Sequence, residues 1–354
     1  MKTKKLIGLT AVAVILGAAA YMTNSGRKVK TPSSLGKPVL PGLNLSKIRK
    51  IELKSKDGKT FKLESGDSGW KLASLYDYPA DITKIRENLL KLKDMKIGQN
   101  ATAVKVEKSD LLDLQDDSGK SIASLRLGDE HTRKATGQMA QYGGGSFPDG
   151  RYVAPAGETK AYLVKETLSA FTSDPSNWAD NKIVDVSSSD VNGIALMKGA
   201  DACILSKKDG SWTVAELKTN EEFDSSGSYS LESALSSLTF NNLADPAMSA
   251  DKSGIATGSV YKVTLKNGES YTASLGNTAS GSADRYLKIA ATFTPQGTNE
   301  TVNATVRTKV DTFNKNASKW LYIIPSHKAD SMIKNRSDLV KEKKEEDKKD
   351  GESK

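Results

Sequence analysis

Alternating apolar and polar positions dominate the body of the chain and predict β-hairpins. Residues 48–64 alternate, turn at Asp57-Gly58 and alternate again. An Asp-Gly or Asn-Gly pair between two alternating runs favours a tight hairpin, because these residues tolerate the positive φ that the turn requires. Similar turns are predicted at Ser118-Gly119, Asp209-Gly210 and Asn267-Gly268. A further pair of strands is expected within residues 150–164.

A helical period follows the first hairpin. Apolar residues at three- and four-residue spacing share one face of a helix, and this spacing predicts a helix after Tyr78-Pro79 with Asp81 as its cap. The same spacing predicts two shorter helices, the first of which ends before Asp174-Pro175 because proline cannot continue it. The apolar positions are Ile82, Ile85, Leu89 and Leu92 in the first helix, Val164, Leu168 and Phe171 in the second, and Leu231, Leu235 and Leu238 in the third.

Related patterns recur in the second half of the chain and indicate an internal repeat. Val306, Val310, Phe313 and Trp320 follow Val164, Leu168, Phe171 and Trp178 at a constant shift of 142 positions. A period this long is typical of a duplicated domain, because solenoid repeats span about 20–50 residues. The sequence therefore predicts an α+β fold with two tandem copies of one module, residues 44–186 and 187–325. Each module contains antiparallel strands and hairpins with one or two packed helices.

The two ends of the chain differ from its body. Residues 6–22 are uncharged and largely apolar and follow three lysines, which predicts an N-terminal membrane anchor or signal over residues 1–22. A retained anchor is favoured over a cleaved signal, although the run is at the short limit for a spanning helix of about 20 residues. Residues 23–43 are rich in Pro, Gly, Ser and Lys and predict an extended linker. Residues 326–354 are expected to form a charged, disordered tail.

The net charge of +9 lies mainly at the N-terminus. Residues 1–37 contain seven Lys or Arg and no Asp or Glu, whereas residues 341–354 contain six of each sign. A nucleic-acid-binding protein is expected to carry its positive charge on a folded face. Here the charge flanks an apolar segment, so we expect contact with a membrane and no nucleic acid.

Residues that carry catalysis are sparse. The chain has two histidines, His131 and His327, and one cysteine, Cys203. Their spacing matches no metal site, catalytic triad or nucleophile elbow, and Cys203 lies in an alternating run typical of a small buried side chain. We therefore predict no catalytic residue, no cofactor and no metal, and a protein that is not an enzyme.

Two Arg-Tyr pairs are the candidate interaction residues. Arg151-Tyr152 and Arg285-Tyr286 occupy corresponding strands of the two predicted modules. They could line equivalent binding surfaces, although strands that place Tyr inward and Arg outward would explain them without a function. The remaining recurrent residues are interpreted as structural: Trp70, Tyr78, Pro79, Asp81, Phe171, Trp178, Trp212, Phe313 and Trp320.

Three segments resemble a known family. "GWKLASLYDYPADITKIRENLLKLKDMKIGQ", "GRYVAPAGETKAYLV" and "DPSNWADNKIVDV" are similar to blocks of the bacterial domain-of-unknown-function family 4340. The resemblance covers Ile48 to about Ile194, whereas the second copy lacks the Tyr-Pro-Ala-Asp block. It implies a membrane-anchored envelope protein of the kind often encoded beside gliding-motility-type ABC transporter components. The family has no known catalytic residues to carry over.

These observations leave three functional hypotheses. The leading one is a non-enzymatic accessory protein of the cell envelope that acts with an ABC-type transporter or gliding-type complex. It would be a single-pass protein of the bacterial inner membrane with its body in the periplasm, or would be secreted after signal cleavage. The alternative is an extracytoplasmic module that binds glycan or peptide through Tyr142, Phe147 and Tyr152. A hydrolase with dispersed Ser and Lys residues is the third.

Overall fold

The computed structural model describes residues 34–67, 69–136 and 145–343. The fold is α+β and rich in antiparallel sheet, with few helices. The chain divides into two compact units. Of the described residues, 34–67, 82–136 and 145–173 form the first unit, and 69–81 and 174–343 form the second.

Strands and helices are numbered here in chain order. The strands are β1 (Lys50–Lys54), β2 (Thr60–Gly66), β3 (Gly69–Leu72), β4 (Tyr78–Pro79), β5 (Gln99–Asn100), β6 (Asp110–Gln115), β7 (Ser121–Lys134), β8 (Ser146–Pro155), β9 (Tyr162–Val164), β10 (Lys182–Val184), β11 (Val191–Lys198), β12 (Asp201–Lys208), β13 (Ser211–Val214), β14 (Glu221–Phe223), β15 (Leu238–Thr239), β16 (Asn242–Leu243), β17 (Ser259–Leu265), β18 (Glu269–Thr278), β19 (Arg285–Phe293), β20 (Tyr322–Ile324) and β21 (Val340–Glu342). The α-helices are α1 (Ile82–Asp94), α2 (Ser228–Glu232), α3 (Ala250–Ser253), α4 (Glu300–Ala317) and α5 (Ser326–Met332). The four hairpin turns predicted from sequence are confirmed, since each lies between two antiparallel strands.

The first unit is built on a sheet that includes the strand order β2-β1-β6-β7-β8-β9-β5. Ile51 of β1 pairs with Leu63 on one side and Leu114 on the other. All three side chains are buried, as expected for alternate positions that share one face of a strand. The alternation in the sequence therefore selects the core face of this sheet.

Helix α1 contributes the other side of this core. Ile85, Leu89 and Leu92 are buried on one face of the helix, as predicted. Ile82 is 50% exposed, so its inclusion in the apolar face was wrong. It lies in the first turn of α1, one turn before the buried row begins.

Residues 34–43 also belong to this unit. The Gly36 N–H donates to the Ile97 carbonyl at 2.8 Å, and the Val39 N–H donates to the Met95 carbonyl at 3.0 Å. The Val39 side chain is buried. This part of the predicted linker is therefore packed on the unit rather than extended from it.

The helix predicted through Val164, Leu168 and Phe171 is wrong. Val164 ends β9, where it pairs with Arg151 of β8. Leu168 has a φ of 52°, which a right-handed helix does not allow. All three apolar side chains are buried, so the helical spacing came from a strand followed by a turn that packs into the core.

The second unit is built on a sheet with the order β13-β12-β11-β17-β18-β19-β20-β16. The pairs β10-β15 and β14-β21 form separate two-stranded sheets. The helix predicted through Leu231, Leu235 and Leu238 is shorter than expected, because α2 ends at Glu232 and Leu238 lies in β15. Ser237 has a φ of 47° and precedes β15 directly, so the chain leaves helical geometry before the third apolar position.

The C-terminal part of this unit is folded beyond the predicted boundary. Residues 326–343 form α5, a 3₁₀ turn and β21, which pairs with β14. Ala329, Met332 and Leu339 are buried. These three apolar residues give the segment a packed face, so the prediction of a disordered tail from residue 326 was wrong for 326–343.

The predicted membrane segment, residues 6–22, lies outside the described residues. Within the described ranges, none of the helices combines the length and apolarity needed to cross a bilayer.

Candidate functional site

The second unit contains a cavity of about 490 Å³ with aromatic walls. We call it the aromatic cavity. Its lining residues are Tyr78, Pro79, Asp180, Lys182, Ile183, Val184, Asp185, Tyr271, Lys309, Thr312, Phe313, Asn316, Ala317, Trp320 and Tyr322. Recessed sites of this size with a few convergent polar groups are the usual form of ligand sites, so this cavity is the candidate functional site.

Strand β10 forms one wall of the aromatic cavity. All of its residues and the following Asp185 line the cavity, whereas neither residue of β15 does. Strand β10 itself pairs only with β15 in a two-stranded sheet. The residues just before it pair with the end of β4, since the Asp180 N–H donates to the Pro79 carbonyl at 3.4 Å. Among the described residues, the open edge is therefore confined to Lys182–Val184. The cavity therefore borders the open edge of β10.

Helix α4 forms the facing wall. Lys309, Thr312, Phe313 and Asn316 line the cavity at three- and four-residue spacing, which places them on one helix face. The N-cap of the helix is Asn299, whose side chain accepts a hydrogen bond from the Val302 N–H at 3.2 Å.

A side-chain amide fixes α4 against the large sheet of this unit. The Asn314 amide exchanges two hydrogen bonds of 2.8 Å with the backbone N–H and carbonyl of Ala291 in β19. The Asn314 side chain therefore pairs with the backbone of Ala291 as a neighbouring strand would. This contact fixes the rotation of α4 about its axis and so directs the Lys309–Asn316 face.

Aromatic rings close the cavity. The ring centroids of Tyr78 and Trp320 are 5.0 Å apart, and those of Tyr78 and Phe240 are 5.1 Å apart. Tyr271 meets Phe313 of α4 edge to face at 5.2 Å. Such contacts add about 0.5–1.5 kcal/mol each beyond burial, so they stabilise the walls of the cavity.

Two polar aromatic groups lie within these walls. The Tyr78 hydroxyl donates to the Asp180 carbonyl at 3.1 Å, and burial, with the nearby Asp180 charge, raises the pKa of Tyr78 so that it stays protonated. The Trp320 Nε1 is buried and has no hydrogen-bond partner among the described residues. A buried donor without an acceptor costs about 1–3 kcal/mol.

A buried carboxylate lies beside the aromatic cavity. Lys309 donates to both carboxylate oxygens of Glu269 at 2.8 Å. The Tyr271 hydroxyl donates to Glu269 Oε2 at 2.8 Å and the Asn267 amide donates to Oε1 at 2.9 Å. Burial alone would raise the pKa of Glu269, but these hydrogen bonds and the Lys309 charge outweigh it and lower the pKa. Glu269 is therefore held as a paired anion.

The cavity combines aromatic walls, an open strand edge and two lysines that are already paired with carboxylates. Groups of this kind hold ligands in other proteins by packing and by backbone hydrogen bonds. The chemistry that the arrangement supports is therefore recognition.

The predicted Arg-Tyr residues lie outside this cavity. Arg151 donates from Nε to the Gly128 carbonyl at 2.8 Å and from Nη1 to the Leu168 carbonyl at 3.3 Å. Burial lowers the pKa of Arg151, against the raising effect of the Glu130 charge. The half-buried Tyr152 ring packs edge to face on His131 at 5.9 Å. Arg151 thus braces β8 in the first unit.

Arg285 has the corresponding role in the second unit. Its Nη1 donates to the Gly276 carbonyl at 3.2 Å, and Tyr286 is buried. Both arginines therefore contact a backbone carbonyl of the preceding strand.

The residues predicted to be structural divide into two groups. Tyr78, Pro79, Phe313 and Trp320 are brought together in the aromatic cavity. The others lie elsewhere: Asp81 directly precedes α1, Phe171 and Trp178 are buried, and Trp70 and Trp212 are half-buried. Lys207 Nζ covers the Trp212 ring at 5.1 Å from its centroid.

Some polar pairs escaped the sequence analysis. His131 Nδ1 lies 2.5 Å from Asp149 Oδ1 across β7 and β8, and Lys309 reaches Glu269 from a different element. No spacing in the sequence signals either pair, because strand pairing and helix packing bring the partners together. In the described part of the chain, no group of three or more His, Cys, Asp or Glu side chains could hold a metal ion.

One family model matches the chain. It is described as Domain of unknown function (DUF4340) and matches residues 70–255, more than half of the 354 residues. No curated protein and no solved structure matches the chain. The resemblance to this family is confirmed, although the match begins at residue 70 rather than at Ile48 and extends past Ile194.

Proposed function

This chain belongs to the domain-of-unknown-function family DUF4340, and we propose that it is a non-enzymatic accessory protein of the bacterial cell envelope. It acts with an ABC-type transporter or a gliding-type envelope complex. The observation that carries the proposal is the aromatic cavity, because it gives the protein a recessed place to hold a partner.

The proposed location is the inner membrane, with one N-terminal span and the body in the periplasm. The uncharged run of residues 6–22, the lysines before it and the polar segment after it support this location. Secretion after cleavage near residues 18–20 is the alternative.

We further propose that the body contains two tandem copies of one module. The strand order β2-β1-β6-β7-β8-β9-β5 in the first unit has the same connectivity as β12-β11-β17-β18-β19-β20-β16 in the second. Ile51 of β1 pairs with a leucine on each side, and Ile194 of β11 pairs with Leu205 and Val263 at the corresponding strands. Arg151 and Arg285 both contact the carbonyl of a glycine on the preceding strand.

This correspondence differs from the 142-position shift in the sequence. Arg151 pairs with Val164 of β9, and Arg285 pairs with Ile324 of β20. Val164 therefore corresponds to Ile324 and not to Val306 of α4. Trp178 follows β9, whereas Trp320 precedes β20, so these two tryptophans are not equivalent positions in the proposed copies.

The envelope role is tested by fractionation and crosslinking in intact cells. We expect the full chain in the inner-membrane fraction and specific crosslinks to transporter subunits. Removal of residues 1–22 should release the body from the membrane and abolish those crosslinks. A cytosolic full-length protein, or partners unchanged by the deletion, would refute the proposal.

A second candidate function is an extracytoplasmic glycan- or peptide-binding module. Phe147 is 40% exposed on β8, which also carries the half-buried Tyr152. His131 on the paired strand β7 packs against Tyr152. Tyr142 lies outside the described residues. This function predicts quenching of Trp fluorescence by cell-wall fragments and loss of that response in Tyr152→Ala. A screen without quenching counts against it.

A further inference from the structure

We propose that the aromatic cavity takes an extended peptide segment of a partner protein, without acidic side chains, which adds to the open edge of β10 as a third strand. The inference rests on the proposed function, because it specifies how the accessory protein holds its partner.

The edge of β10 supplies the backbone groups. A strand in a two-stranded sheet leaves the N–H and C=O groups of one edge unpaired, and an extended peptide can pair with them. The cavity borders that edge at Lys182–Val184. At about 3.3 Å per residue, β10 offers roughly 10 Å of edge, which is enough for a segment of about three residues.

Helix α4 supplies the opposite wall. Thr312, Phe313 and Asn316 face the space beside β10. Several peptide-binding domains hold an added strand in a groove between a strand edge and a helix. Backbone hydrogen bonds provide the affinity, and side-chain pockets provide the specificity. Here the aromatic rings of the lining provide the pocket.

The charges disfavour an acidic segment, because both lysines of the lining are paired and the lining carboxylate of Asp180 has no ion-pair partner among the described residues. Lys182 holds Asp185 at 2.8 Å, and Lys309 holds Glu269 at 2.8 Å. Each lysine that lines the cavity is therefore already paired with a carboxylate, and an anionic ligand would have to displace that carboxylate. The charged residues 344–354 of this chain do not fit such a groove, because they include no apolar side chain.

The packing of the rings favours peptide over glycan. Sugars stack on open aromatic faces, but Tyr78, Trp320 and Tyr322 are buried and already pack on other rings or chains. Lys319 Nζ also lies over the Trp320 ring, 4.7 Å from its centroid. Apolar peptide side chains need no free ring face and bind such walls by close packing.

The test is selection of peptides from a displayed library of random segments of about ten residues on the full chain in detergent. Two variants provide the contrast. Thr312 and Thr308 are both exposed on α4, and each donates to the carbonyl four residues earlier, at 2.8 and 2.9 Å. Thr312 lines the cavity and Thr308 does not, so Thr312→Trp fills the groove and Thr308→Trp is its matched control.

We expect selected peptides whose central residues include no Asp or Glu, and we expect them to bind at least about tenfold more weakly to Thr312→Trp and equally well to Thr308→Trp. Methylation of alternate backbone nitrogens of the peptide should abolish binding in one of the two registers, because it removes the strand hydrogen bonds. Equal binding to both variants, or indifference to methylation in both registers, would overturn the proposal. So would a dimer of the full chain that only Thr312→Trp dissociates, because it would assign the groove to a second copy.

Crosslinking in cells separates this inference from the envelope role. Transporter crosslinks that persist in Thr312→Trp would leave the accessory function intact and overturn the groove as its docking site. Peptide binding that depends on Thr312 in a chain without envelope partners would leave the groove intact and overturn the accessory function.

Discussion

Lys309 on helix α4 holds the carboxylate of Glu269 on β18, with 2.8 Å from Nζ to each oxygen. The two ends of this ion pair differ sharply in exposure, since the Glu269 side chain is 1% exposed and that of Lys309 is 61% exposed. The pair therefore ties the helix wall of the aromatic cavity to the sheet beneath it.

The first prediction concerns this carboxylate. Glu269→Gln keeps the shape but loses the charge-assisted bonds from Lys309, so we expect a loss of about 1–3 kcal/mol in the free energy of unfolding. Urea denaturation at pH 7 measures it. Glu222→Gln is the control, because Glu222 forms a salt bridge between two exposed side chains, with Lys341, and should change stability by less than about 1 kcal/mol.

The same carboxylate sets a pH dependence. The pKa of Glu269 is lowered in the folded state, so its contribution is fully present above the unfolded pKa of about 4.3 and is lost as the pH falls through the folded pKa. The stability difference between the native chain and Glu269→Gln should therefore shrink on acidification below about pH 4. A difference that stays constant from pH 7 to pH 3 would contradict the assignment.

The sequence predicted those features that depend on neighbouring residues. The Asp-Gly and Asn-Gly turns and the face of α1 with Ile85 and Leu89 follow from local preferences and periodicity, and the structure confirms them. The same reasoning wrongly predicted a helix at Leu168, because its apolar side chain reaches the core from a turn with positive φ. Burial alone does not distinguish a helix from a strand and turn in a short segment.

The aromatic cavity could not be predicted in this way. Tyr78 and Trp320 are far apart in the chain, and the sequence around each predicts only a buried core residue. Their meeting depends on the placement of β4 beside α4 and β20 in one unit. The open edge of β10 is likewise a property of sheet pairing, which a single sequence does not disclose.

A second prediction concerns the turn between β17 and β18. Gly268 has a φ of 89°, and a Cβ there would lie 2.0 Å from the Thr294 carbonyl oxygen. Gly268→Ala should therefore destabilise the fold by strain at positive φ and by displacement of backbone, together about 2–4 kcal/mol. Gly210 has a φ of 83° with no atom within 4 Å of such a Cβ, so Gly210→Ala should cost only about 1 kcal/mol. Thermal unfolding of both variants makes the comparison, and equal losses would exclude the clash.

A third prediction concerns Trp178, which is 0% exposed. Trp178→Ala removes a large buried ring and should cost about 3–5 kcal/mol. Tyr229 is 75% exposed, so Tyr229→Ala should change stability by less than about 0.5 kcal/mol. Urea denaturation followed by circular dichroism avoids dependence on the fluorescence of the deleted indole. A loss below about 1 kcal/mol for Trp178→Ala would mean that the ring is not part of the core.

The fourth prediction tests the equivalence of Arg151 and Arg285. Arg151→Met keeps the aliphatic stem but leaves the Gly128 and Leu168 carbonyls without their donors, so we expect a loss of about 1.5–3 kcal/mol. Arg285→Met removes one longer bond to Gly276 and should cost about 1 kcal/mol. Arg126 contacts a carbonyl only at 3.4 Å, and Arg126→Met is the control with little effect.

Urea denaturation of the three arginine variants gives the order of their losses. If both arginines brace their strands, Arg151→Met and Arg285→Met each lose more free energy of unfolding than Arg126→Met. A loss at Arg151 with none at Arg285 would show that only the first strand depends on its arginine, and would remove the arginines from the support for duplication. The shared strand order would then carry that proposal alone, because backbone pairing does not depend on either guanidinium.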